Sequence, residues 1–127
     1  MSTPHLRPTR PLEHIAFFKV ELRTREGIAH VFLAYDAWQD KLFNLGVERD
    51  ASETTVLKNI YLLLEDPMFA QYSNEGYTLI MEEFQEFAPR IEAVIKPSNG
   101  KMLFDKKYHN ELIHPVLKPM ALRFRKM

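Results

Sequence analysis

At 127 residues the chain has room for one domain core and not for two. Hydrophobic residues make up 46% and aromatics 12%, which excludes a disordered chain, because burial on that scale offsets the entropy of folding. There is no cysteine, so disulfides, thiolate metal sites and a cysteine nucleophile are excluded, and a reducing, cytoplasmic setting is the expectation.

Formal net charge is zero, yet the charges are segregated: residues 1–25 carry +3, residues 26–98 carry −8 and residues 99–127 carry +5. Either the basic ends fold against the acidic middle of the same molecule, or one of these surfaces meets a charged partner. The longest apolar runs, such as Val31–Tyr35, fall far short of the roughly 20 residues that cross a bilayer, so no membrane partner is expected.

Residues 1–11 read as a flexible, proline-bearing tail without the apolar core of a signal peptide. Residues 12–23 admit two readings. As a helix they turn Ile15, Phe18 and Leu22 inward. As a strand they put Phe18, Val20 and Leu22 on one face, and a turn at Thr24–Gly27 completes a hairpin. The next segment decides for the helix. In residues 28–45, Ile28, Val31, Phe32, Tyr35, Trp38, Leu42 and Leu45 recur at helical spacing, with Gly46 placed as a C-cap. This reading buries both Phe32 and Trp38.

Asp50 and Glu53 read as a capping pair opening a helix that runs to about Glu65, apolar almost all round. Asp66–Pro67 starts a short helix through Tyr72, with proline in its first turn. Residues 75–95 come next as a second long helix. It is capped by Ser73 or Asn74, stacks Tyr77, Ile80, Met81, Phe84, Phe87, Ile91 and Ile95, and is kinked by Pro89. Lys101–Phe104 is extended or loop, and Tyr108–His114 is helical. Pro115 and Pro119 break the chain beyond it into short pieces, and Leu122–Lys126 alternates as an extended piece would. The expected fold is therefore an all-α, irregular bundle of five to six helices, two of them long. The alternative is α+β with an N-terminal hairpin.

No motif for chemistry is present. Gly27, Gly46, Gly76 and Gly100 are isolated, so there is no phosphate-cradling loop. Glu111 and His114, three apart on a helix, form one Glu-x-x-His pair where a carboxylate-bridged metal site needs two. His109 reads as a surface histidine. Glu82, Glu83 and Glu86 read as the solvated face of the 75–95 helix. No metal ligand, cofactor or catalytic residue is assigned, and the chain is not expected to be an enzyme.

The expected function is a non-catalytic, intracellular adaptor, inhibitor or regulator that contacts another protein or a second copy of itself. Its contact residues are Leu57, Tyr61 and Leu64, on the side of the 54–65 helix away from Val56, Ile60 and Leu63. The alternative is a nucleic-acid-associated regulator using Lys118, Arg123, Phe124, Arg125 and Lys126, where cations flank an aromatic ring.

Overall fold

Val31 to Tyr35 are five apolar residues in a row, and the structure buries the last four on the two sides of a strand. Phe32 and Ala34 enter one core, while Leu33 and Tyr35 enter another. The structure, a computed structural model, describes residues 8–72 and 75–125. It is α+β, with a five-stranded mixed sheet and four α-helices, so the all-α bundle is wrong and the hairpin alternative fits. A strand covered on both faces is apolar at consecutive positions, and such a run satisfies a 3.6-residue period by coincidence.

Strands β1 (His14–Thr24) and β2 (Gly27–Asp36) form the first hairpin, in register from Ile15↔Asp36 to Thr24↔Gly27. Gly27 takes the turn's positive φ of 125°, and Thr24 Oγ1 donates to its carbonyl at 2.7 Å. The 28–45 segment is thus most of β2, a tight turn and half of β3 (Lys41–Glu48), antiparallel to β2.

Trp38 sits in that turn, 52% exposed, so the expectation that it is core is also overturned. The turn is held from inside. Asp36, fully buried, accepts from the backbone N–H groups of Leu12 (2.9 Å) and Trp38 (3.0 Å). Tyr35 Oη donates to Asp40 at 2.6 Å.

Helix α1 (Glu53–Glu65) lies where the sequence places it, although its N-cap is Ser52, which accepts from Thr55 N. Helix α2 (Pro67–Tyr72) comes next, also as expected. The expected 75–95 helix is instead β4 (Tyr77–Met81), a bend, a short 3-10 turn at Gln85–Phe87 and α3 (Ala88–Ile95). The chain leaves the sheet through Phe84, at φ 73°. Pro89 lies in the first turn of α3, where its missing N–H costs nothing, so it starts a helix and kinks none. The proposed caps Ser73 and Asn74 lie outside the described residues.

Strand β5 (Gly100–Phe104) pairs in parallel with β4, and β4 in parallel with β1, giving the order β3-β2-β1-β4-β5. Helix α4 (Lys106–Arg125) continues through Pro115 and Pro119 without the break expected there.

Side-chain alternation divides the core into two layers. Ile15, Phe17, Phe32, Phe43, Leu79 and Met81 pack under α1, α2 and α3. Ala16, Phe18, Leu33, Tyr35 and Ile80 pack under Tyr108, Leu112 and Ile113 of α4.

Two measurements check this arrangement. Phe32→Ala should cost about 3–5 kcal/mol in urea unfolding, and Trp38→Ala should stay within about 0.5 kcal/mol. Equal losses would restore the helical reading of 28–45. Burial and the Asp40 carboxylate push the Tyr35 phenol from 10.0 up to about 12. Its proton is therefore held more tightly in the folded state, and its contribution is complete below pH 10. That contribution should be lost as pH rises through about 12, and the loss should be smaller in Tyr35→Phe.

Candidate functional site

In sheets with parallel strands, ligand sites form beyond the carboxyl ends of those strands, where the connections part. Here β4 ends beside Phe17 of β1, and the alternation that buries Leu79, Ile80 and Met81 delivers Glu82 and Glu83 to opposite sides of the sheet.

On the α4 side, Glu82 faces an imidazole and an ammonium group. Its Oε2 lies 3.6 Å from His109 Nδ1, and its Oε1 lies 3.8 Å from Lys106 Nζ. His109 is 2% exposed, with its Nε2 3.2 Å from the Phe17 carbonyl. A carbonyl only accepts, so Nε2 is the donor in this contact, while Nδ1 makes no hydrogen bond and faces the Glu82 carboxylate. Asp105 sets the ring's position by opening α4: its side chain accepts from Tyr108 N at 3.0 Å, and its carbonyl from His109 N at 2.9 Å.

On the opposite side, Lys19 Nζ lies 3.0 Å from Glu21 and 3.6 Å from Glu83, with its side chain only 11% exposed. His30 Nδ1 stands 3.8 Å from the same Glu21 oxygen. The Lys19 hydrogen bond and charge hold the Glu21 carboxyl below the usual carboxylate range. Glu21 and Glu83 thus share the Lys19 ammonium, Glu82 faces Lys106, and Asp105 is spent on the cap of α4.

The candidates named from sequence are dispersed. Glu82 and Glu83 stand at a strand end rather than on a helix face, and Glu86 lies in the 3-10 turn. Glu111 and His114 are both exposed on α4, and among the described residues no group of three His, Asp or Glu side chains is placed to hold a metal ion. Lys118 is exposed on α4. Arg123, Phe124 and Arg125 lie along the same helix rather than in an extended piece, and Lys126 is outside the described residues.

On α1, Tyr61 is 50% exposed, while Leu57 and Leu64 are half-buried against the core. Leu57, Tyr61 and Leu62 edge a shallow groove of about 640 Å³ that also includes Lys58, Glu65 and Arg90, and Leu64 lies outside it.

Lys19 carries no signal in the sequence, and His109, expected at the surface, is buried. For His109 a signal exists: Tyr108, Leu112 and Ile113 form the stripe of α4 that packs on the sheet, and His109 lies within it.

No family model matches the chain, and no curated protein matches it. Solved structures do. A chain of the simian T-cell lymphotropic virus intasome in complex with PP2A regulatory subunit B56 gamma superposes with a TM-score of 0.70 at 5% identity. That alignment covers 88% of this chain but only 39% of the other. The HTLV-2 integrase catalytic core domain in complex with magnesium aligns in its dimeric form with a TM-score of 0.60 at 10% identity, over 95% of this chain and 79% of that one. Its trimeric form gives 0.60 at 9%. At these identities the likeness is one of fold.

The charge matching can be read directly. In Lys19→Met, the Glu21 titration followed by carboxyl NMR should move upward toward the ordinary value of 4.5. An unmoved midpoint would show that Lys19 does not hold Glu21.

Proposed function

We propose that this domain is a non-catalytic binding protein that acts through protein–protein contacts on the outer face of α1. The observation that carries the reading is the apolar strip of exposed Tyr61 and Leu62 beside half-buried Leu57, rimmed by Lys58, Glu65 and Arg90. Apolar patches of this kind with a charged rim are typical of contact surfaces. The absence of cysteine supports a reducing, cytoplasmic setting.

The strand ends support the non-catalytic part. The integrase core domains of the same fold are in complex with magnesium. Magnesium takes oxygen ligands in near-octahedral order. The groups here do not fit it: Glu82 already faces His109 and Lys106, Glu83 faces Lys19, and Asp105 caps α4. A cation entering would meet the Lys106 ammonium beside Glu82 and the Lys19 ammonium beside Glu83.

A second reading is favoured by the fold shared with the intasome chain: a nucleic-acid-associated regulator using Lys118, Arg123, Phe124, Arg125 and Lys126. It requires a salt-sensitive mobility shift with DNA or RNA that Lys118→Glu weakens.

Tyr61→Glu tests the first reading. Because Tyr61 is half exposed, the variant should melt within about 0.5 kcal/mol of the parent. Its association should be lost, measured by sedimentation for a second copy and by affinity capture for another protein. Association that survives in the folded variant would remove α1 as the contact face.

A further inference from the structure

The two edges of the sheet are finished differently. At the β3 edge the pairing with β2 is irregular between Val31 and Leu33. The Gly46 N–H there is taken by the Asn59 side chain of α1 at 2.6 Å. A bulge and a side-chain cap are the usual ways to blunt an edge.

The β5 edge has neither. Tyr77 N donates to the Asn99 carbonyl (3.3 Å), and Asp105 N donates to the Met81 carbonyl (3.1 Å). With the register Tyr77↔Gly100 through Met81↔Phe104, parallel pairing turns Lys101 and Leu103 toward β4. The N–H and C=O groups of Gly100, Met102 and Phe104 therefore point away from the sheet. No hydrogen bond among the described residues uses them.

Beside this open edge lies a groove of about 530 Å³ between α3 and β5, lined by Glu92, Lys96, Asn99, Gly100, Lys101 and Met102. Lys96 and Lys101 are exposed, and none of the ion pairs among the described residues uses either one. Glu92 is the one acidic group in the lining.

We propose that the β5 edge is a docking site for an extended, acidic peptide segment of another protein, which adds a sixth strand to the sheet. The backbone of Met102 supplies the hydrogen bonds, and the half-buried Met102 side chain gives an apolar floor. Lys101 projects on the α4 side and Lys96 from the end of α3, so an added strand meets a cation on each face. The same lysines select the occupant. Two copies pairing edge to edge would bring like charges together, which disfavours a second copy, while a strand bearing glutamate or aspartate neutralises them. The site is separate from the α1 face, and either stands without the other.

The test uses the full chain and two labelled peptides, one alternating valine with glutamate and the other valine with lysine, read by fluorescence anisotropy. The acidic peptide should bind, more weakly as salt rises, and the basic one should not. Met102→Pro removes the outward N–H at a position where an edge strand tolerates proline, and should weaken binding at least about tenfold. The double change Lys96→Glu, Lys101→Glu should reverse the preference between the peptides. If Met102→Pro fails to fold, hydrogen exchange at Met102 in the parent answers the same question, because the acidic peptide should slow it. Equal affinity for both peptides, no binding of the acidic one, or an unaltered Met102 exchange rate would overturn the proposal. So would a doubled mass without peptide that the lysine changes alter, since that makes a second copy the occupant.

Discussion

Covering the sheet on both faces is the constraint on which the rest of the molecule depends. A strand between two layers of helix has no face to give to water, so β1, β2 and β4 carry apolar residues at consecutive positions. Ile15 and Phe17 go to one side, Ala16 and Phe18 to the other, and all four are buried. The aromatic rings fix the register. Phe17 lies 6.1 Å from Phe32 and 6.2 Å from Phe84, within the range where ring pairs attract. A slip by one residue would send Phe17 and Phe32 to the α4 side, which is filled by Tyr108, Leu112 and Ile113.

The same alternation makes the strand ends. Along β1 the apolar run stops between Phe18 and Lys19, and along β4 it stops between Met81 and Glu82, at neighbouring levels of the sheet. Because the two strands are parallel, a cation on one is brought to a carboxylate on the other, and His109 reaches the second carboxylate from α4. These pairs are partly exposed at their acidic ends, and each is worth at most about 1 kcal/mol. Their consequence is positional: they hold Glu82 and Glu83 on opposite faces of the sheet.

How much of this was legible depends on which periodicities compete. Helices α1 and α2 were readable because Ser, Asp and Pro mark their starts, and local capping is written in adjacent residues. The β1–β2 hairpin was visible as an alternative through Thr24–Gly27. It lost to a stripe in 28–45 that seven apolar residues satisfy whether the segment is one helix or two strands. Pro89 looks like an interruption in the sequence because the turn before it, with Phe84 at positive φ, leaves no mark in a phenylalanine. The strand-end groups were not legible at all. Lys19, Glu83 and His109 are brought together by strand pairing and helix docking across the whole chain, and no local spacing encodes such a meeting.

One side chain settles an ambiguity that composition leaves open. Helix α1 offers two apolar stripes, Val56–Ile60–Leu63 and Leu57–Tyr61–Leu64, and hydrophobic burial alone hardly separates them. Asn59 lies beside the first stripe and is fully buried. Its amide donates to Glu48 Oε2 and to the Thr55 carbonyl, both at 2.9 Å, while its oxygen takes the Gly46 N–H of the β3 irregularity. Turning α1 to bury the second stripe would strand that N–H and the amide together, at about 1–3 kcal/mol for each unsatisfied group. Gly46 is part of the same arrangement, since a Cβ there would stand 2.7 Å from the Asn59 oxygen. Asn59 thus decides which leucines face inward, and by the same act leaves Tyr61 and Leu62 facing out.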